Sequence, residues 1–212
     1  METARGDVRF SYEGGIMNNL NKVILTDCDG VLMNWEYAFN VWIQSHGYKM
    51  VEGGENYYDM GDRYGLDSQT KRLLCKMFNE SASIGFLPPL RDAMYYIDLI
   101  HRKLGYTFHM ITSLSLDQSA QKLRIQNTEK LFGTTAFEKF IFCDTGADKD
   151  EVLEPYRDSG LLWVEDKIEN AELGDRLGLL SVLMEHGHNM DYFNDDIRIF
   201  KNWEEIYNIL SN

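Results

Sequence analysis

The chain has 212 residues, of which 44% are hydrophobic and 13% aromatic, and its 34 acidic side chains outnumber 21 basic ones. This composition excludes an intrinsically disordered protein and allows one domain, or one domain that carries an insertion. The net charge of −13 excludes extended nucleic acid as a partner, whereas a small anion can still bind where a local cation reverses the field.

The cysteines and the N-terminal segment bear on the location of the protein. Cys28, Cys75 and Cys143 are scattered and form no C-x-x-C pair, which indicates neither a disulfide framework nor a zinc site. We therefore expect a reducing, cytoplasmic location. Residues 1–21 contain no signal-peptide apolar core, and no apolar run is long enough to span a bilayer. We expect a disordered N-terminal tail over residues 1–21 and no membrane partner.

The first predicted element is a buried strand that ends in two aspartates. Residues 22–32 read K-V-I-L-T-D-C-D-G-V-L, so an apolar run leads to Asp27 and Asp29, and Gly30 allows a turn. Ligand sites of parallel sheets lie at the carboxyl ends of such strands. Neighbouring carboxylates repel each other unless a cation or a shared proton intervenes, so the pair indicates a metal, acid–base chemistry, or both. An acidic turn is the simpler alternative. Cys28 should point away from the pair and pack in the interior.

The region after this strand is predicted to be a helical insertion. A helix is expected from Trp35 to His46, where apolar residues recur at helical spacing before Gly47. Residues 48–86 are rich in Gly and Tyr, turn helical around residues 71–79 and contain no strand of the core type. Pro88 and Pro89 mark the return. The predicted division is a core of residues 22–33 and 88–212 with a helical cap over residues 34–87.

From residue 91 onward, predicted helices and strands alternate. The helices cover residues 91–104, 117–132, a short stretch from about 150, 168–177 and 203–210. The strands cover residues 107–112, 139–143, 161–164 and 180–184. This alternation predicts an α/β fold with a parallel sheet and right-handed crossovers.

Polar residues follow three of these strands. Thr112 and Ser113 offer a hydroxyl and a backbone amide to an anion, although a turn or helix cap is the commoner role of such residues. Lys149 opens a helix and, taken alone, is a surface lysine. Glu165 and Asp166 form a second acidic pair at the same sheet edge. Because Mg²⁺ binds through a few carboxylates while retaining water and substrate phosphate, two converging acidic pairs favour a magnesium site.

In this order and context, the D-C-D-G-V run at residues 27–31, Thr112, Lys149 and Glu165-Asp166 resemble the four motifs of the haloacid dehalogenase superfamily, in its phosphatase branch. The likeness covers residues 22 to about 184, and four motifs are far more specific than one. It implies a three-layer Rossmann-like core with a C1-type helical cap. It also implies Mg²⁺-dependent hydrolysis of a small phosphomonoester. Dehalogenases do not need the second aspartate, so Asp29 argues for phosphate chemistry.

The resemblance implies a role for each motif residue. Asp27 is expected to be the nucleophile that becomes an aspartyl-phosphate, and Asp29 the general acid and then the general base. Thr112 and the Ser113 amide would hold the phosphoryl oxygens, and Lys149 would offset negative charge. The implied Mg²⁺ ligands are the carboxylates of Asp27 and Asp166, the Asp29 backbone carbonyl, and Glu165 directly or through water.

The substrate is less narrowly predicted than the chemistry. The runs D-C-D-G-V-L, G-F-L-P-P-L-R and F-H-M-I-T-S are also similar to the 5'(3')-deoxyribonucleotidase family, which implies a nucleotide, although Met33-Asn34 and Glu165 depart from that family's pattern. Other phosphorylated metabolites, a phosphosugar mutase and a non-catalytic ligand-binding member are alternatives. The aromatic residues of the cap form either a nucleobase platform or the cap's own core: Trp35, Tyr37, Phe39, Trp42, Tyr57, Tyr58 and Tyr64. His186-Gly187-His188 is predicted to be a solvated turn.

Overall fold

The computed structural model describes residues 22–212, so the predicted tail at residues 1–21 lies outside the described residues. The strands are β1 (Val23–Thr26), β2 (Thr107–Ser113), β3 (Phe137–Cys143), β4 (Leu162–Glu165), β5 (Leu180–Met184) and β6 (Arg198–Phe200). The α-helices are α1 (Trp35–Ser45), α2 (Met60–Tyr64), α3 (Ser68–Asn79), α4 (Ala93–Leu104), α5 (Gln118–Phe132), α6 (Asp150–Leu153), α7 (Ile168–Arg176) and α8 (Trp203–Leu210). Short 3-10 turns occupy Gly54–Asn56, Ala82–Phe86 and Glu154–Tyr156. None of the described helices is both long and apolar enough to cross a membrane.

The six strands form one sheet in the order β3-β2-β1-β4-β5-β6, and every neighbouring pair is parallel. The predicted α/β class is therefore confirmed. The crossovers run to opposite sides of β1, so the carboxyl end of β1 is the topological switch point where such sheets bind ligands. The sequence does not predict β6, because three residues with only Phe200 buried carry too little periodic pattern.

The sheet has helices on both faces, which gives the expected three layers. Ile24 of β1 packs in the larger hydrophobic cluster, together with residues of α4, α5 and α8. Leu25, the next residue, points to the opposite face and packs with Leu153 of α6 and Leu173 of α7. This alternation along a strand buried on both sides explains why the first three residues of β1 are all apolar.

The chain leaves and re-enters the sheet region through two adjacent segments. The Asn34 amide donates to the Pro88 carbonyl at 2.9 Å, the Leu90 amide donates to the Leu32 carbonyl at 2.9 Å, and Met33 pairs with Pro89 in an antiparallel bridge. The intervening residues 34–87 contain helices and turns and no strand. The division into a core and a cap over residues 34–87 stays a prediction.

Five aromatic side chains of residues 34–87 pack against one another. The rings of Trp35 and Phe39 are stacked with centroids 4.7 Å apart, and Phe78 meets both rings edge-on at 5.4 Å. Trp42 and Tyr64 complete this cluster. These side chains therefore form a core of the helical segment, which is the simpler of the two roles expected for them.

Candidate active site

Asp27 lies directly after β1, at the switch point of the sheet. Its amide continues the ladder by donating to the Val164 carbonyl at 2.9 Å, and its side chain is 12% exposed. Oδ1 accepts hydrogen bonds from the Cys28 amide at 2.7 Å and from Lys149 Nζ at 3.0 Å. Burial raises the pKa of Asp27 to about 7, against the lowering effect of Lys149. The ionised carboxylate therefore calls for more positive charge than Lys149 provides.

Lys149 is a buried cation held between two carboxylates. It precedes α6 and is 1% exposed, and its Nζ lies 3.0 Å from Asp27 Oδ1 and 2.7 Å from Glu165 Oε1. Burial works against the charged ammonium, but Asp27 and Glu165 outweigh it and raise the pKa of Lys149. The ammonium is therefore fixed beside Asp27 rather than solvated at the surface.

Glu165 ends β4 and accepts four hydrogen bonds. Oε1 accepts from Lys149 and from Asn170 Nδ2 at 2.6 Å, and Oε2 accepts from the backbone amides of Asp166 at 2.6 Å and Lys167 at 2.9 Å. Burial opposes its charge, but Lys149 and these donors hold the pKa of Glu165 below its usual range. Glu165 thus fixes Lys149 and the start of α7, and its metal role stays a prediction.

A cation site is suggested by three carboxylates at the ends of β1 and β4. Oxygen atoms of Asp27, Glu165 and Asp166 all lie within 4.8 Å of one another. Burial, Glu165 and Asp27 raise the pKa of Asp166 well above its ordinary value. Three carboxylates face one ammonium, and all donors are oxygen, so the residues present fit a hard divalent cation such as Mg²⁺.

Thr112 and Ser113 end the neighbouring strand β2, in which Met110 pairs with Thr26 of β1. Thr112 is 1% exposed, and its buried Oγ1 has no hydrogen-bond partner. A buried hydroxyl without a partner is costly, so this group is available to a ligand. The Ser113 hydroxyl instead donates to the Ala147 carbonyl at 2.8 Å and fixes the loop that leads to Lys149.

The side chain of Asp29 is bound by an arginine that the sequence reasoning did not identify. Arg124 of α5 is buried and contacts both carboxylate oxygens of Asp29. Cys28 is buried as predicted, but its Sγ accepts at 2.7 Å from the same Arg124 nitrogen that contacts Asp29, so it does not point away from Asp29 as expected. Helical spacing gives little signal for Arg124, because the buried face of α5 is mostly polar.

The turn at residues 186–188 is not simply solvated, so that prediction was wrong. His186 Nε2 lies 2.6 Å from the Gly30 carbonyl, and His188 Nε2 lies 2.9 Å from the Asp166 carbonyl. Tyr58 of the helical segment packs on the His188 ring with centroids 4.2 Å apart. Because His188 Nε2 also lies 3.9 Å from Asp166 Oδ2, Tyr58 lies beside the acidic cluster.

Comparison with known proteins gives one related sequence and many related folds. No family model matches the chain. An uncharacterized 32.4 kDa protein of Enterobacteria phage T4, from the Gp30-rIII intergenic region, is 28% identical over 141 residues, or 64% of this chain. The chain spans about half, 49%, of that relative's length.

Two solved structures illustrate the likeness of the fold. CbbY from Rhodobacter sphaeroides, in complex with phosphate, has a TM-score of 0.56 and 16% identity over 87% of this chain and 96% of its own. YfnB from Bacillus subtilis, a putative HAD-hydrolase bound to magnesium, has a TM-score of 0.58 and 13% identity over 90% and 99%. Sheet order, site position and these likenesses agree: the chain has the fold of the haloacid dehalogenase superfamily.

Proposed function

We propose that the protein is a Mg²⁺-dependent phosphatase that hydrolyses a small phosphomonoester through an aspartyl-phosphate on Asp27. The main support for the proposal is that the buried carboxylates of Asp27, Glu165 and Asp166 lie close together with a single cation, Lys149. The Thr112 hydroxyl, which has no hydrogen-bond partner, ends the neighbouring strand. Such a site suits an anion and a cation together. The related folds include CbbY with phosphate and YfnB with magnesium, which supports this choice.

The chain's own residues divide the work of phosphoryl transfer. Asp27 attacks phosphorus, and Lys149, 3.0 Å from Asp27 Oδ1, offsets negative charge as the phosphoryl group approaches. Thr112 Oγ1 and the Ser113 amide bind phosphoryl oxygens. Asp29 donates a proton to the departing oxygen and then takes one from the attacking water. Residues 34–87 act as the cap that excludes bulk water.

Asp27, Asp166 and the Asp29 backbone carbonyl would hold Mg²⁺, with Glu165 at or next to the metal shell. When bound, the ion supplies positive charge that neutralises the phosphoryl oxygens and orients them for in-line attack. This charge is needed because burial, Glu165 and Asp27 all disfavour the carboxylate form of Asp166. They therefore raise its pKa.

For the substrate we infer a 5'-nucleotide. Tyr58 supports this choice, since it is 46% exposed and packs on His188 beside Asp166, where a base or sugar attached to the phosphate would lie. The test is a screen with Mg²⁺ over nucleoside monophosphates and sugar phosphates. We expect phosphate release to be fastest with nucleotides. A preference for sugar phosphates would overturn the substrate choice but not the hydrolysis.

Product analysis separates the proposed reaction from its alternatives. Free phosphate marks hydrolysis, whereas an isomeric phosphosugar without net phosphate release marks a mutase. A protein that binds a phosphate compound tightly but turns over none of the panel is a binding protein, and this outcome would overturn the proposal.

Removal of divalent ions with a chelator should abolish turnover, and added Mg²⁺ should restore it.

Replacement of Asp166 tests the cation site independently of turnover. Asp166→Asn should raise the melting temperature of the metal-free protein, because an amide avoids the buried charge that Glu165 and Asp27 repel. Mg²⁺ should raise the melting temperature of the parent protein and leave that of the variant nearly unchanged. Thermal melts with and without Mg²⁺ measure both effects. An equal Mg²⁺ shift in both proteins would exclude Asp166 as a ligand.

The cation site also predicts the pH dependence of stability. The pKa of Asp27 is raised from 3.8 to about 7 in the folded protein, so between these values the folded state binds more protons than the unfolded chain. Stability of the metal-free protein should therefore fall as pH rises through this window. Since Mg²⁺ competes with protons, its stabilising effect should be larger at about pH 8 than at about pH 5. Thermal melts at the two pH values measure the difference, and a larger shift at low pH would contradict the assignment.

A further inference from the structure

Arg124 is a fully buried cation on the face of α5 that packs against the sheet. Its side chain is 0% exposed. The same helix face carries Ala120, Asn127, Thr128 and Phe132, all of them buried. Burial of the charge of an arginine is costly without a partner. What it contacts therefore defines what it can do.

Both terminal nitrogens of the Arg124 guanidinium donate hydrogen bonds to the carboxylate of Asp29. Nη1 donates to Oδ1, and Nη2 donates to Oδ2 at 3.2 Å. Nη1 also lies 2.7 Å from Cys28 Sγ, and Nε has no hydrogen-bond partner. Burial opposes the charge of Arg124, but Asp29 outweighs this effect and raises the pKa of the arginine. The Asp29 carboxylate is thus the main partner that holds the charge of Arg124 in the interior.

We propose that Arg124 is a positioning residue, which fixes the Asp29 carboxylate in the orientation needed for proton transfer. The proposal rests on the phosphatase function proposed above. A fork to both oxygens restricts rotation of the carboxylate, and each oxygen keeps a second lone pair. The Asp29 side chain remains 23% exposed, so the contacts with Arg124 do not bury it completely.

Two proton transfers depend on the orientation of the Asp29 carboxylate. As an Asp27 oxygen forms its bond to phosphorus, the bond from phosphorus to the leaving oxygen breaks, and the proton of Asp29 passes to that oxygen. Water then attacks phosphorus and gives a proton to Asp29, while the bond between phosphorus and Asp27 breaks and phosphate is released. Both transfers need Asp29 within hydrogen-bond reach of the reacting oxygen, and a small misplacement is costly.

Leaving-group dependence distinguishes positioning from a purely structural role. Phenyl phosphate and p-nitrophenyl phosphate share a shape, but the phenolate is the poorer leaving group and needs the proton more. For Arg124→Lys, which keeps the charge and loses the fork, we expect kcat/KM to fall roughly 10-fold or more on phenyl phosphate and less than about 3-fold on p-nitrophenyl phosphate. Asp29→Asn should show the same preference more strongly.

Two controls and a double variant complete the test. Lys122→Gln removes an exposed cation from the same helix, and Ile97→Ala truncates a buried residue of α4. Both should leave the ratio of the two activities unchanged. Arg124→Lys added to Asp29→Asn should cause no further loss on phenyl phosphate, because the residue acts through Asp29. If Arg124→Lys is too unstable to purify, Asp29→Asn/Arg124→Gln leaves no unpaired charge and should match Asp29→Asn.

The outcomes separate this inference from the proposed function. Equal losses on both substrates, or a further loss in the Asp29→Asn background, would overturn the role of Arg124 while phosphatase activity of the parent protein stands. A parent protein that is inert on both substrates with Mg²⁺ would overturn the proposed function, and the role of Arg124 with it.

Discussion

Asp27→Asn is expected to lower the rate of phosphate release by roughly 10³-fold or more while the protein stays folded. The amide has nearly the volume of the carboxylate but no oxygen that can attack phosphorus. Burial raises the pKa of Asp27, so loss of its charge removes repulsion from Glu165 and should not lower the stability of the metal-free protein. Turnover with Mg²⁺ and thermal melts of both proteins measure the two effects.

The matched control for this variant is Asp98→Asn. Asp98 pairs with Arg102 on the surface of α4, and its side chain is 38% exposed, so the same chemical change should alter neither turnover nor stability appreciably. The parent protein, quenched in acid during turnover, should carry phosphate that Asp27→Asn lacks. Full activity of Asp27→Asn would rule out the covalent route.

The sheet and the acidic cluster are predictable from the sequence because both depend on local patterns. The parallel topology of the sheet then determines that these local patterns lie at one edge. Lys149 is 122 residues after Asp27 in the chain, and Asp166 is 17 residues after Lys149. Each of them nevertheless follows a strand or opens a helix at the carboxyl edge of one parallel sheet. Since parallel strands present their carboxyl ends at the same edge, convergence of these residues follows from element order alone. The structure brings Asp27, Lys149, Glu165 and Asp166 together.

The contacts of Arg124 and His186 are not predictable in the same way. Arg124 is 95 residues from Asp29 in the chain, and His186 is 156 residues from Gly30. Arg124 lies on a buried helix face that is mostly polar, and only the packing of α5 against the sheet determines which carboxylate it meets. His186 lies in a loop, where no periodic pattern fixes side-chain direction. Long-range polar contacts of this kind depend on how elements pack rather than on what each element is.

The hydrogen bonds of Glu165 are also not predictable from the sequence. A strand-end Glu-Asp pair predicts two carboxylates near a cation, but it does not predict that one of them accepts four hydrogen bonds from protein groups. The Asp166 side chain accepts none of these four bonds. Its pKa is raised, whereas that of Glu165 is lowered. The two adjacent acids therefore differ in what they have left to offer a metal ion.

Gly30→Ala is expected to lower turnover about 10²-fold, because Asp166 lies against the backbone of Gly30. A Cβ built on Gly30 would be 2.7 Å from Asp166 Cγ and closer still to Oδ2, so the Asp166 carboxylate has to move. Gly30 also has a φ of +75°, a conformation that costs alanine roughly 1–2 kcal/mol. Turnover, the Mg²⁺ concentration for half-maximal activity and the melting temperature are the quantities to measure.

Gly47→Ala separates the strain from the displacement of Asp166. Gly47 has a φ of +88°, and nothing lies within 4 Å of a Cβ built on it, so alanine there introduces similar backbone strain without a steric clash. Gly30→Ala should therefore lose at least as much stability as Gly47→Ala, but only Gly30→Ala should need more Mg²⁺ and lose turnover. Equal turnover in the two variants would mean that the position of Asp166 does not matter, and the cation site would then have to be assigned to other residues. The close approach of Gly30 to Asp166 thus links the turn after β1 directly to the acid after β4.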